Sequence, residues 1–300
     1  MKATETPNHY NVPLRMLSVT PTRDGYRMPS RRMADKHARL MHGKTLDEWC
    51  MLAMWSNRCL AHQVFVCETR EHAARLEPIA AKYSVELVVR PADMLHPVND
   101  TGGLPIRWGC DKAMADARAR GEWYGLVTTP LVVAPLKRPG LHDEMHKHYI
   151  TTINNPDYQH NYPCVMGLQP NPPGWFWQDH GPGTSAEMVI GNTGRAEYND
   201  QPNAYLGVLQ HFVAASWSWF TFQDFVFSRA KIEGIGVYDV IPFPIKWWED
   251  LHIDSQDQWD LSEWAFGKYL GGKDAEDRYR EYRRGWAADA EKAAGGRGVI

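Results

Sequence analysis

The chain has 300 residues, a formal net charge of −3, 43% hydrophobic and 23% charged residues, the balance of a globular protein. That near-neutral charge argues against general nucleic-acid binding, although a local basic patch can still hold phosphates. No apolar run reaches the roughly 18 residues of a membrane span, and the opening MKATETPNHY lacks the apolar stretch of a signal peptide. Cys50, Cys59, Cys67, Cys110 and Cys164 form no CxxC pair. An odd, scattered set suits free thiols in a reducing compartment, so a cytoplasmic location is expected.

In chain order, residues 1–15 are polar and read as a flexible arm. Met16 to Val19 predicts a buried strand running into the turn-like Thr20-Pro21-Thr22-Arg23-Asp24-Gly25. Beyond a basic loop, residues 45–57 predict a helix with Leu46, Trp49, Cys50 and Ala53 on one face. Residues 63–67 predict a second strand, 71–83 a helix, 85–89 a third strand and 110–120 a helix. Residues 125–128 predict a strand ending at Thr129-Pro130-Leu131, and 140–151 a helix. This alternation predicts an α/β fold with a mostly parallel central sheet flanked by helices. Ligands then bind at the carboxyl ends of the strands, here Thr20–Gly25, Cys67–Arg70, Arg90–Asp93 and Thr128–Leu131.

The Pro-, Gly- and Asn-rich residues 154–203 predict irregular structure or a β insertion, and a candidate dimerisation region. The aromatic run 204–229 predicts a helix. Residues 273–294 predict a charged, solvated terminal helix that could dock on a partner subunit. The organisation expected is one domain over 16–270, preceded by the arm and followed by a helical extension over 271–300.

Four clusters carry candidate chemistry. The loop after the first strand holds Arg23, Arg27, Arg31, Arg32 and Lys36. So many like charges repel one another unless an anion such as a nucleoside triphosphate sits among them, and a solvated basic loop is the bland alternative. It is not a P-loop: His42-Gly43-Lys44-Thr45 lacks the upstream glycine. Thr128 and Thr129 end a strand, where hydroxyls contact a nucleotide or cap a turn. His142 and His146 share a helix face at metal-pair spacing, but HDxxH lacks the acidic base of HExxH, and a solvated histidine face is the plainer reading. Last, LHIDSQDQWDLSEW contains Ser255 with Gln258 three residues on, a capping box that starts a helix at Gln256. Asp257 and Asp260 then favour the helix N-terminus, with Leu261, Trp264 and Ala265 as the apolar face. Capping leaves Asp254 unexplained.

Together these pieces resemble the cytidylyltransferases that activate acidic sugars, the acylneuraminate and 3-deoxy-manno-octulosonate enzymes. Lys36-His37 stands where that family has Lys-Asn, and Gly43-Lys44-Thr45-Leu46 where it has Gly-Lys-Pro-Leu. Arg90-Pro91-Ala92-Asp93-Met94 resembles its Arg-Pro-Ala-Glu-Leu, and Thr128-Thr129-Pro130-Leu131 its Thr-Ser-Pro-Leu. Asn203-Ala204-Tyr205 loosely resembles its Asn-Gly-Ala before a Tyr. His252-Ile253-Asp254-Ser255-Gln256-Asp257-Gln258-Trp259 resembles its Asp-Ile-Asp-Thr-Pro-Glu-Asp-Trp. The chain departs from the pattern at His37, at His252 and in lacking the Gln before Pro-Thr-Ser-Pro.

The resemblance implies a Rossmann-like, GT-A-type nucleotidyltransferase fold and a homodimer. It implies transfer of a cytidylyl group from CTP to a small acidic sugar, releasing pyrophosphate. Arg27, Arg31 and Lys36 would clamp phosphates, with Arg23 or Arg27 as the first arginine. Arg90, Thr128 and Asn203 would lie near the nucleotide. Asp254 would hold Mg²⁺, or Mn²⁺ if His252 joined it, and His252 could instead act as a base. The rival readings are a GT-A glycosyltransferase, opposed by the missing Asp-x-Asp at the strand ending in Thr128, and a non-catalytic nucleotide-binding relative.

Overall fold

The computed structural model describes residues 15–23, 33, 36–95, 103–154, 163–170, 177–178, 187–188, 205–215 and 239–295. Hydroxyls start three of its helices, at Ser255 as expected and at Thr45 and Thr69 as well. Thr45 Oγ1 accepts the Glu48 N–H at 3.2 Å and opens α1 (Leu46–Trp55). Thr69 Oγ1 accepts the His72 N–H at 3.1 Å and opens α2 (Arg70–Lys82). Ser255 Oγ accepts the Gln258 N–H at 3.3 Å and opens α5 (Gln256–Ala265). Each satisfies a backbone donor that the first turn would leave without a partner.

Strands β1 (Met16–Pro21), β2 (Leu60–Cys67), β3 (Glu86–Val89) and β4 (Leu126–Thr128) alternate with α1, α2, α3 (Gly103–Ala119) and α4 (Leu141–Ile153). Next come β5 (Pro163–Pro170), the short pair β6 (Trp177–Gln178) and β7 (Glu187–Met188), β8 (Tyr205–Ala215), β9 (Asp239–Pro244), α5 and α6 (Ala275–Gly295). The main sheet has the order β3-β2-β1-β4-β8-β5-β9. β8 is antiparallel to β4 and β5, and every other pairing is parallel. The chain winds outward from β1 to β3, then returns to place β4 on the other side of β1. That reversal makes the carboxyl ends of β1 and β4 the ligand crevice of such a sheet.

Alternation along the strands sorts the core. Leu17, Val19, Val64, Val66 and Val127 pack against Ile106, Cys110, Ala113 and Ala117 of α3. Met16, Phe65, Cys67 and Leu126 point to the opposite face, where α1, α2 and α4 lie. α3 begins seven residues before the expected Cys110, because Pro105 is tolerated in a first helical turn and Ile106 already keeps the core spacing.

The expected helix over 204–229 is corrected in part: Tyr205–Ala215 is strand β8, and 216–229 lie outside the described residues. An unbroken apolar run reads alike as buried helix or buried central strand, and pairing on both edges decides for the strand. Among the described residues of the middle region, β5 joins the main sheet and β6 pairs with β7. The expected apolar face of α5 is also corrected. Leu261 and Trp264 are 42% and 51% exposed, whereas Trp259, Ser262 and Ala265 are buried. The helix takes its phase from Trp259, 1% exposed among Met41, Ile253 and Phe266.

Nor is α6 simply solvated. Ala275 and Tyr279 are fully buried. Trp286 Nε1 donates to Ser56 O at 3.0 Å and Arg283 donates to Trp55 O, so α6 satisfies carbonyls at the end of α1. Lys44 reaches Glu48 at 2.5 Å and Glu276 at 2.9 Å, joining α1 to α6. His142 is buried rather than solvated, and Asp143 accepts the backbone N–H groups of Arg58 and Cys59. Among the described residues, no helix is long and apolar enough to cross a membrane.

Trp259→Ala should leave a cavity in the core beneath α5 and cost about 3–5 kcal/mol. Urea denaturation should show a lower midpoint with an unchanged slope.

Candidate active site

β1 runs out at Pro21, and the next N–H, of Thr22, still bonds Val66 O at 3.1 Å. The Thr22 hydroxyl then donates to Oδ1 of Asp47, a fully buried carboxyl in the first turn of α1. His37 Nδ1 stands 4.0 Å from the other oxygen, Oδ2. Asp47 therefore touches both ends of the basic loop, Thr22 at its entrance and His37 at its exit.

Lys36, beside that exit, is only 5% exposed. Its Nζ donates to Ile253 O at 2.7 Å and to Asp254 Oδ1 at 2.9 Å. His252 Nε2 lies 3.4 Å from Asp254 Oδ2. The segment carrying these residues is fixed from both sides. The Ile253 N–H bonds Val133 O at 2.9 Å, in the strap that follows β4. The Asp254 N–H donates to Gln258 Oε1 at 2.7 Å. The capping box is thus realised one residue out of step: Ser255 caps Gln258, but Gln258 reaches back to Asp254.

Electrostatics follow from burial. Burial, then the charges of Lys36, His72 and Arg23, push the His37 imidazole down to about 4, so it is neutral at pH 7. Burial raises the Asp47 carboxyl to about 7 against the opposing Thr22 hydrogen bond. Beneath the crevice lies a row of polar side chains in register: Gln63 on β2, Ser18 on β1 and Thr128 on β4. All three are buried, and among the described residues their side-chain polar atoms have no hydrogen-bond partner.

The structure brings Lys36, His252 and Asp254 together. Arg23 is exposed at the loop entrance, and Arg27, Arg31 and Asn203 lie outside the described residues. Arg90 is buried at the end of β3, its Nη2 donating to Glu68 Oε1 at 2.8 Å. Met41-His42-Gly43-Lys44 is a tight turn, closed by paired bonds between Met41 and Lys44, with φ of 49° at His42 and 89° at Gly43. Its glycine serves a left-handed backbone rather than a phosphate cradle. Asp47 and Glu68 escaped the sequence reading. Asp47 follows the cap Thr45 and looks like an ordinary first-turn acid, and nothing local marks it as buried.

Mg²⁺ takes one or two carboxylates and completes its shell with substrate oxygens and water. Here the single carboxylate of Asp254 carries the Lys36 ammonium on one oxygen and faces His252 with the other. Among the described residues, no group of three or more His, Cys, Asp or Glu could hold a metal ion. This donor set does not fit a divalent cation while the Lys36 contact stands.

The two buried groups give opposite pH slopes. The native state holds a proton on Asp47 up to about 7, whereas the unfolded chain releases it near 3.8, so stability falls as pH rises through that window. His37 takes a proton only near 4 when folded but near 6.5 when unfolded, so its contribution falls as pH drops between those values. Asp47→Asn should remove the first slope. Urea denaturation should find the variant's stability relative to the parent greater at pH 8 than at pH 5. An equal difference at both would reject the assignment.

No protein-family model matches the chain, and no curated protein matches it. Solved structures do. 4-Diphosphocytidyl-2C-methyl-D-erythritol synthase from Anaerococcus prevotii DSM 20548 is 10% identical with a TM-score of 0.55, covering 85% of this chain and 96% of that one. A structure titled CMP:2-keto-3-deoxy-manno-octonic acid synthetase complexed with CTP is 11% identical with a TM-score of 0.53, covering 85% and 100%. At such identities the likeness shows the fold: an α/β, mostly parallel sheet flanked by helices, as in these nucleotidyltransferases.

Proposed function

We propose that the chain is a nucleotidyltransferase that joins CTP to a small acidic sugar, releasing pyrophosphate and a CMP-sugar. The observation that carries this reading is Lys36: a lysine from the basic loop, buried beside the β1–β4 crevice with its ammonium held by Asp254 and Ile253 O. The CTP bound in the similar CMP:2-keto-3-deoxy-manno-octonic acid synthetase structure supports CTP as the donor.

In this reading a sugar oxygen bonds to the α-phosphorus while the bond to the pyrophosphate oxygen breaks. The protein must neutralise the triphosphate and hold the attacking oxygen in line. Lys36 supplies a cation already oriented, and Arg23, Arg27 and Arg31 supply the rest. Arg90, which follows β3, and Thr128, at the end of β4, would lie near the nucleotide, as would Asn203. His252 takes the proton of the attacking hydroxyl, and Asp254, 3.4 Å away, stabilises the imidazolium. Asp254 thereby serves both neighbours, the ammonium on one oxygen and the imidazole on the other. No step is routed through a metal, because the described donor set does not fit one.

Lys36→Met should lower pyrophosphate release from CTP by roughly 10²–10³-fold, the usual loss for one preorganised charge contact. The assay pairs each nucleoside triphosphate with a panel of nonulosonates and related acids. Parental turnover in Lys36→Met would overturn the role of the lysine. Thermal stabilisation by CTP without pyrophosphate from any acid would mark a nucleotide-binding relative that lacks the chemistry.

A further inference from the structure

Lys137 lies in the strap between β4 and α4 and is 1% exposed. Its Nζ donates to Leu131 O at 3.2 Å and to Ala134 O, both in the same strap. Among the described residues no carboxylate pairs with it. Burial pushes its amine down from the usual lysine value, and the other group felt there is the Cys50 thiol. A fully buried amine without an acidic partner is costly, so its place in the strap calls for a physical reason.

That reason lies in what the strap holds. The Lys137 carbonyl accepts the hydroxyl of Tyr279 from α6. Val133, inside the span that Lys137 ties, accepts the Ile253 N–H at 2.9 Å. Ile253 O in turn accepts Lys36 Nζ at 2.7 Å. The links run from the buried Tyr279 of α6, through the strap, to the ammonium at the crevice. We propose that Lys137 is a positioning residue for Lys36, fixing the strap and therefore the point at which Ile253 O holds that ammonium. A methionine of similar length would fill the volume but offer no donor to Leu131 and Ala134, and the strap would lose its internal tie.

The kinetic part of the test rests on the proposed function, whereas the structural part does not. In Lys137→Met, amide exchange at Ile253 should quicken several-fold while the amides of β4 keep parental protection. Lys36 should react several-fold faster with an amine-directed reagent, read by mass spectrometry. In the pyrophosphate assay kcat should fall with KM for CTP unchanged. Tyr279→Phe keeps its ring in the core and removes only the hydroxyl, and it should shift the same readouts in the same direction. It decides the matter if Lys137→Met does not fold. Parental exchange at Ile253 together with parental labelling of Lys36 would overturn the proposal, as would exchange that rises equally throughout the chain. Local changes at Ile253 and Lys36 in a protein that releases no pyrophosphate from any substrate would uphold the positioning role and reject the enzymatic reading.

Discussion

The contact between Lys36 and the Ile253–Asp254 segment joins residues 217 and 218 apart in the chain, and the rest of the site is arranged around it. It brings the basic loop after β1 onto the segment after β9. An ammonium so buried is tolerable because it has a carboxylate and a carbonyl within hydrogen-bond distance. Without that pairing, Lys36 would belong in solvent and the crevice would lose its oriented charge.

Around this contact the protein spends polar groups where a simpler fold would place apolar ones. Asp47 takes the hydroxyl of Thr22 and stands beside His37. Arg90 meets Glu68 out of contact with water. Gln63, Ser18 and Thr128 form a buried row across three strands. Unpaired polar atoms in a core oppose folding, and their concentration below the carboxyl ends of β1 and β4 coincides with the place where this sheet topology binds ligands. On the opposite face α3 covers Leu17, Val19, Val64 and Val66, and His62 meets Glu86 at 2.7 Å toward its rim.

Much of the first half was legible because its signals are local. Ser255 announces a helix start through a hydroxyl three residues before its donor. The strand ends follow from alternation and turn residues, and the parallel sheet from the βα repeat. Asp254 stood out because capping accounted for its neighbours and not for it. The failures have equally definite causes. Apolar continuity in Tyr205–Ala215 carries no period, so strand and helix look the same. Leu261 and Trp264 matched a helical stripe, but Trp259 won the buried position and turned them outward. Ala275 and Tyr279 lay within a charged segment whose average hid its fully buried residues.

By itself the sequence determined where helices begin, which strands alternate with them, and that capping leaves Asp254 over, whereas Lys36 and His252 stood out only through the resemblance. These are properties of neighbours within a few residues, set by backbone hydrogen bonding and side-chain periodicity. Only the tertiary structure decided that Asp254 meets an ammonium, that Asp47 is buried at the neck of the basic loop, and that the Lys137 amine is buried within the strap. Burial and pairing of charge depend on segments hundreds of residues apart converging at one sheet edge, and no local pattern carries that information.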